Sequence, residues 1–275
     1  MHSRSDSGPA SIDTALSDFI QHRKLIYELT KREIVARYRG SMFGLAWSFF
    51  NPLLMLAVYT FVFSVIFEAR WAGAGGTSDF SLLLFSGLIV HGIFAECVNR
   101  APTLVTSNPS YVKKVVFPLD VLPYVSMGSA LFHGVIAIMV LLAAQLFIKG
   151  ALPWTAILVP FVLLPLAVMT VGMAWIAAAL GVYIRDVVQV TGILTTVLLF
   201  LSPILYPISA VPESLRGWVR LNPLTYIVEQ MRLVLNDGQV VDFHGLLSYT
   251  AVAVAVAACG YWLFQRLRPG FSDVM

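Results

Sequence analysis

Residues 125–147, VSMGSALFHGVIAIMVLLAAQLF, contain no Asp, Glu, Lys or Arg. Crossing the hydrocarbon core of a bilayer takes roughly 20 predominantly apolar residues, so this run is long enough to span. Outward from it lie five more runs of the same kind: 45–67, 82–105, 154–183, 188–206 and 246–264. The expected fold is an all-α membrane protein with six transmembrane helices. Composition agrees, with 58% hydrophobic residues against 12% charged, where a water-soluble domain carries about a quarter charged. The run 82–105 is interrupted near its end by Glu96, Asn99 and Arg100. The run 154–183 holds Pro160 and Pro165, so a tilt or kink is expected there.

Six spans leave both termini on one side, and the distribution of Lys and Arg decides which side. Seven precede the first span; Arg100, Lys113, Lys114 and Arg185 follow on the same side, with two more after the last span, making thirteen. The opposite side holds five: Arg70, Lys149, Arg216, Arg220 and Arg232. Both termini are therefore expected in the cytoplasm. The same bias accounts for the net charge of +3 without a nucleic-acid partner. Residues 1–15 read as a flexible N-terminus with no cleavable signal peptide, 16–40 as an amphipathic interfacial helix, 41–268 as one transmembrane domain and 269–275 as a cytoplasmic tail. In the interfacial helix Leu16, Phe19, Ile20, Leu25, Ile26, Leu29, Ile34 and Val35 recur at mostly three- and four-residue intervals. Such a helix lies on an anionic membrane surface, packs on the protein's own cytoplasmic side, or does both.

The connection 207–245 is too long for a simple turn. Leu215, Trp218 and Val219, then Tyr226, Ile227, Met231, Leu233 and Val234, predict two short amphipathic helices divided at Asn222-Pro223. Proline favours a helix start and biases the residue before it away from helical dihedrals. An apolar pair of this kind fits re-entry into the outer leaflet. Residues 108–123 predict a cytoplasmic helix with Tyr111, Val112, Val115 and Val116 on one edge and Lys113 and Lys114 on the other. It reads either as a rigid element transmitting force between two spans or as a connector resting on headgroups.

Catalytic signatures are missing: the sequence has no Gly-x-x-x-x-Gly-Lys-Ser/Thr phosphate loop, no His-Glu-x-x-His and no Gly-x-Ser-x-Gly. The chain is not read as an enzyme, and ATP-driven work would need a second polypeptide. Ser129 and His133, one turn apart, read as packing and hydrogen-bonding residues of a helix interface rather than a hydrolase pair. Cys97 and Cys259 read as small core residues. Glu96 and Arg100, at i and i+4, are expected to pair with each other, although ionisable groups at membrane depth also mark polar pathways and links to a partner. Trp47, Tyr59 and Phe63 recur at about helical-turn multiples. They read either as interfacial anchors or as a stripe on which sugar rings stack.

The run Arg37-Tyr38-Arg39-Gly40-Ser41, followed by Gly44, Trp47, Pro52, Tyr59 and Phe63, resembles the opening of the permease subunits of ABC-2 type exporters that move cell-surface polysaccharides. Arg185-Asp186, Ser202-Pro203-Ile204-Leu205-Tyr206-Pro207, Val211-Pro212, Asn222-Pro223 and Arg232 are similar to that family's fifth-span and external-gate region. The resemblance covers residues 20–268. It implies a six-span half-transporter of the bacterial inner membrane that forms a homodimer and pairs with two copies of a separate nucleotide-binding ATPase. ATP and Mg would sit on that ATPase, and this chain would bind no cofactor or metal. The substrate would be a lipid-linked polysaccharide such as O antigen, capsule or teichoic acid, with membrane lipids around it. The resemblance further implies coupling to the ATPase by Arg37, Arg39, Tyr111, Val112, Lys113, Lys114, Arg185 and Asp186. It implies a channel lined by Trp47, Tyr59, Phe63, Phe200 and Tyr206, and an external gate at Pro207, Pro212, Asn222, Pro223 and Arg232. Glu96 and Arg100 match none of its motifs. The alternatives are an ABC-2 exporter of a drug, haem or another lipid, and an ATP-independent transporter. The latter often shows an internal repeat, and none is apparent between 45–147 and 154–264.

Overall fold

The computed structural model describes residues 12–66, 77–112 and 117–274, and among them every regular element is helical. Helix α1 (Ile12–Tyr38) begins inside the stretch expected to be flexible. Its first turn is tied down, because Ala15 is buried and accepts a hydrogen bond from the Tyr124 hydroxyl at 3.2 Å. It ends just before Gly40, whose φ of +86° is left-handed, a conformation that commonly closes helices. A 3-10 turn, Gly44–Ala46, leads into α2 (Trp47–Tyr59), which runs directly into a π-helical turn, Thr60–Ile66.

Helices α3 (Thr77–Arg100), α5 (Leu122–Lys149), α6 (Val159–Tyr183) and α10 (Phe243–Leu267) form the body of the bundle. Between α3 and α5 the helix expected over 108–123 is interrupted. The structure shows a four-residue helix, α4 (Pro109–Val112), then an extended Pro118 and a 3-10 turn, Leu119–Val121. Lys113, Lys114, Val115 and Val116 lie outside the described residues.

Among the described residues five helical stretches are long and apolar enough to cross a membrane: Gly44–Phe63, Phe80–Thr103, Leu119–Lys149, Trp154–Tyr183 and Phe243–Val274. The expected run 188–206 is the exception. Its helix, α7 (Val187–Leu201), stops at Ser202, which is extended with ψ 147° because Pro203 follows. Fifteen residues at about 1.5 Å each give about 22 Å, short of the roughly 30 Å of hydrocarbon. The segment after it folds as expected into two short helices, α8 (Glu213–Leu221) and α9 (Pro223–Leu235), with the corner at Asn222. The chain closes with α11 (Phe271–Val274).

Lipid tails are as apolar as leucine, so membrane helices associate through close packing of small residues rather than by escape from water. The α6–α10 contact follows that rule. A Cβ at Gly172 would lie 2.7 Å from the Ala257 Cα, and one at Gly260 would run into the Gly172 carbonyl. Farther along α6, Gly181 meets the backbone of Pro102 in the same way. Trp175, fully buried, packs edge-on against Tyr124 and Tyr261, and its ring N–H donates to the Asp120 carbonyl at 3.1 Å.

The bundle has two distinct ends. One gathers α1 with the start of α5 and the ends of α6 and α10: the Tyr261 hydroxyl donates to Asp18 at 2.6 Å, Arg268 pairs with Asp120 at 3.3 Å, and the Tyr183 hydroxyl donates to the Leu267 carbonyl. The other carries α8 and α9, where Gln145 donates to the Leu235 carbonyl at 2.7 Å and Thr155 to that of Val234 at 2.6 Å. Both described termini therefore lie at one end. Beside the body of the bundle, α2 and α7 are sparsely covered: α2 buries Ser48 and Leu56, and α7 buries Thr191, Thr195 and Leu198.

Gly172→Leu is expected to lower the thermal unfolding midpoint of the detergent-solubilised protein, overpacking typically costing about 1–3 kcal/mol and more where backbone must part. Gly192→Leu, at a site with open space around it, should leave the midpoint nearly unchanged. Equal midpoints for the two variants would refute the close α6–α10 contact.

Candidate functional site

Glutamate and arginine recur one turn apart on two helices, Glu33 and Arg37 on α1 and Glu96 and Arg100 on α3. The expected pair within α3 does not form. Arg37 meets Glu96 at 2.7 Å, and Arg100 forms an ion pair with Glu33. An exposed i, i+4 pair contributes only about 0.3–0.5 kcal/mol. Pairing between helices instead neutralises all four charges where long side chains of α1, whose backbone packs on α5, reach across to α3; every one of the four side chains is only partly exposed.

The Arg37–Glu96 pair extends to α5. His133 Nδ1 stands 3.0 Å from both Glu96 oxygens, and the Tyr38 hydroxyl stands 3.0 Å from Nε2. Burial raises the Tyr38 hydroxyl above its ordinary value. Arg37 also reaches Nδ1 at 3.1 Å, so Tyr38, Arg37 and Glu96 converge on the two ring nitrogens of His133. Ser129 takes no part, and its buried hydroxyl makes no hydrogen bond among the described residues. The hydrolase geometry is therefore absent.

Two cavities flank these pairs. The larger, about 390 Å³, has Arg37, Tyr38, Glu96 and His133 at its polar side, with Asn51, Met55 and Tyr59 of α2 and Leu199 of α7 also lining it. The smaller, about 240 Å³, is lined by Glu33, Arg100, Thr103, Asn108 and Tyr111. The larger chamber presents balanced charge beside an apolar wall. Among the described residues no three His, Cys, Asp or Glu are placed to hold a metal ion.

The residues expected to couple to an ATPase are spread along one end of the bundle. Arg37 turns inward into the charge cluster, while Arg39, Arg185 and Asp186 are exposed. Tyr111 stacks on Phe117 with ring centroids 4.1 Å apart, Val112 ends α4, and Lys113 and Lys114 lie outside the described residues. The aromatic set does not form one lining in a single chain. Tyr59 faces the larger cavity and Phe63 packs on Phe80 at 5.6 Å. Trp47 stands edge-on to Phe43 near the surface, Phe200 is exposed, and the Tyr206 hydroxyl donates to the Phe200 carbonyl.

At the opposite end the expected gate residues form a connected structure. Pro207 leads into the 3-10 turn Ile208–Ala210, and Pro212 precedes α8. The Asn222 side chain accepts from the Leu224 N–H at 2.9 Å, capping α9, and donates to Ser202 Oγ at 2.9 Å. Arg232, 7% exposed, donates from Nε to the Leu83 carbonyl at 3.1 Å, from Nη2 to that of Ile204 at 2.8 Å, and from Nη1 to that of Pro203. Burial draws its guanidinium down to about 10, still charged at neutral pH. One side chain thus ties α9 to α3 and to the carbonyls at the Pro203 break. Sequence reasoning missed Glu33 and gave Tyr38 only a place in the quoted motif, while its reading of His133 as a packing and hydrogen-bonding residue did not name the partners Glu96 and Tyr38. The readable signal was the repeated Glu-x-x-x-Arg at 33–37 and 96–100.

A bundle of apolar helices with glycine-mediated contacts, partly exposed charge pairs between helices and a capped pair of short helices at one end defines a multi-pass membrane protein. Residues 24–236 match the ABC-2 type transporter family, and the chain belongs to it. It is similar to the O-antigen export system permease protein RfbA of Myxococcus xanthus, 28% identical over 258 residues, covering 93% of this chain and 97% of that protein. A protein of the same name from Klebsiella pneumoniae is 25% identical over 254 residues, 91% of this chain and 95% of its own length. The polysialic acid transport protein KpsM of Escherichia coli is 22% identical over 260 residues, 90% and 96% of the two chains.

Arg232→Met keeps the side-chain length but removes every donor, and hydrogen bonds to a charged group contribute about 1.5–3 kcal/mol each. The variant is expected to melt several degrees lower, on the order expected for losses of this size, and to expose Arg216 and Arg220 of α8 to trypsin. Arg232→Lys, a point charge without the planar fork, should fall between the two. Unchanged melting and cleavage in Arg232→Met would show that the staple is dispensable.

Proposed function

We propose that this chain is the membrane-spanning permease subunit of an ATP-driven exporter that carries lipid-linked cell-surface polysaccharide, O antigen or capsule, across the bacterial inner membrane. The observation that carries the reading is alignment, over nine-tenths or more of both chains, with relatives whose names specify O-antigen export and polysialic acid transport. Family membership supports a partner ATPase that binds ATP and Mg, two copies per assembly, with this chain supplying the passage and no catalytic group.

Two chains would form the working permease. The sparse covering of α2 and α7 supports this, because Asn51 and Tyr59 would then face a shared interior and the exposed Trp47 and Phe200 a second copy. In this arrangement α7 and the Pro203 break complete a sixth crossing, α8 and α9 re-enter the outer leaflet as a gate, and α1 lies at the cytoplasmic interface with both termini inside. The Lys and Arg count supports that orientation. The surface of Arg39, Tyr111, Arg185 and Asp186 would face the ATPase. Trp47, Tyr59, Phe63, Phe200 and Tyr206 would border a route for sugar rings.

In cells lacking their own permease, this chain together with its ATPase is expected to restore surface polysaccharide and to co-purify with the ATPase. Tyr59→Ala should lower export about tenfold, in the range for loss of a stacking contact of 1–3 kcal/mol per ring, with co-purification intact. Normal surface polysaccharide in cells deleted for this chain would overturn the proposed function. Collapse of the complex in Tyr59→Ala would make Tyr59 a packing residue.

A further inference from the structure

The double ion pair between α1 and α3 belongs to none of the residues expected to act in transport except Arg37, and it has a property that a single pair lacks. Both helices carry the same word, Glu-x-x-x-Arg, and they meet in opposite directions: Glu33 on Arg100 and Arg37 on Glu96. A slip of one helical turn one way would set Glu33 against Glu96, and a slip the other way Arg37 against Arg100. Opposite charges become like charges on either side of the observed register, and like charges at close range cost about as much as opposite ones contribute. Partly exposed pairs add little stability, whereas polar groups placed between helices can select one register over its neighbours.

We propose that Glu33, Arg37, Glu96 and Arg100 form a two-rung antiparallel charge zipper that fixes the register of α1, seated on α5, against the neighbouring α3, and that this joint passes movement of α1 into the membrane helices during transport. The second half rests on the exporter reading above. Three features place the joint where it can act. The upper rung is locked to α5 by His133 and Tyr38. The lower rung lines the cavity that Tyr111 borders, and the upper rung lines the one that Asn51 and Tyr59 of α2 border, so the zipper stands between α4 and α2. The far end of α1 is anchored too, by Asp18 on Tyr261 and by Ala15 on Tyr124, so the helix moves as a bar held at both ends. These four are positioning residues.

The test uses the lower rung, whose two side chains pair only with each other among the described residues, in the permease–ATPase complex. Glu33→Arg, Arg100→Glu and the double swap are compared at equal membrane protein for export, for ATP hydrolysis in proteoliposomes, and in detergent for tryptic cleavage of α1 at Arg23 and Lys24, which lie apart from the site that Glu33→Arg adds. Each single variant is expected to lower export at least about fivefold and speed α1 cleavage about as much, the low end of an ordinary coupling energy, while hydrolysis stays within about twofold. The double swap should return export and cleavage to near the starting values. If a single variant does not accumulate, Glu33→Gln and Arg100→Gln take its place, with losses of about two- to threefold expected for a missing partly exposed pair. A double swap no better than the worse single, or single variants that behave like the starting protein, overturns the zipper. Restored protease protection without restored export overturns its transport role. Failure of the unmodified chain to support export at all falls on the exporter reading, while the cleavage pattern still judges the register.

Discussion

Hydrocarbon supplies no hydrogen-bond partner, so every polar group carried into the bundle must find one on another part of the protein. That constraint orders the structure. Pro203 ends α7 and frees carbonyls at Pro203 and Ile204, and Arg232 comes from α9 to take them, with Leu83 of α3 as a third acceptor. Glu96, too costly to leave alone in a span, draws Arg37 from α1 and His133 from α5. At each end of the bundle a local break or an acidic residue has recruited a distant basic one, and those long-range ties fix where the short helices sit.

Between the two ends the forces change. Helices α6 and α10 are held by shape, with Gly172 and Gly260 letting backbones touch and dispersion replacing the hydrophobic drive. The interior is therefore stiff where glycine packs and bonded where charge enters. The parts with neither device are α2 and α7. They carry their apolar faces outward, and α2 ends in a π-helical turn, a form often found at functional positions.

Most of the fold was legible in the sequence because a bilayer reduces the problem to run length. Five of the runs stand as helices long enough to cross. In the run 188–206 hydropathy counts Leu205 and Tyr206 as readily as Leu198, while the backbone answers to Pro203, so the continuous helix ends at Leu201. The corner at Asn222-Pro223 was readable for the same reason, since proline acts on its nearest neighbour. The site was less legible. Spacing within α3 suggested that Glu96 and Arg100 face each other, yet partner choice depends on what packs alongside, and α1 lies almost seventy positions away in sequence (|i−j| of 67 for the Arg100–Glu33 pair). Arg232 was marked by resemblance alone; nothing in its neighbours announces three backbone acceptors on two other segments. Of the aromatic residues singled out, Tyr59 borders a cavity, while Trp47 packs on Phe43 and Phe63 on Phe80, contacts that helical spacing does not reveal.

The Asp18–Tyr261 hydrogen bond joins residues 243 positions apart, and this bears on how the protein is made. At about 5–20 residues per second of synthesis, the first helix to leave the ribosome waits on the order of tens of seconds before its final anchor exists. During that interval the start of α5 and the turn before it emerge first and offer Val121 and Val125 to Ile26 of α1. The apolar residues of α1 are thus seated in two stages, on α5 midway through synthesis and at the Asp18–Tyr261 anchor only when the last span is complete.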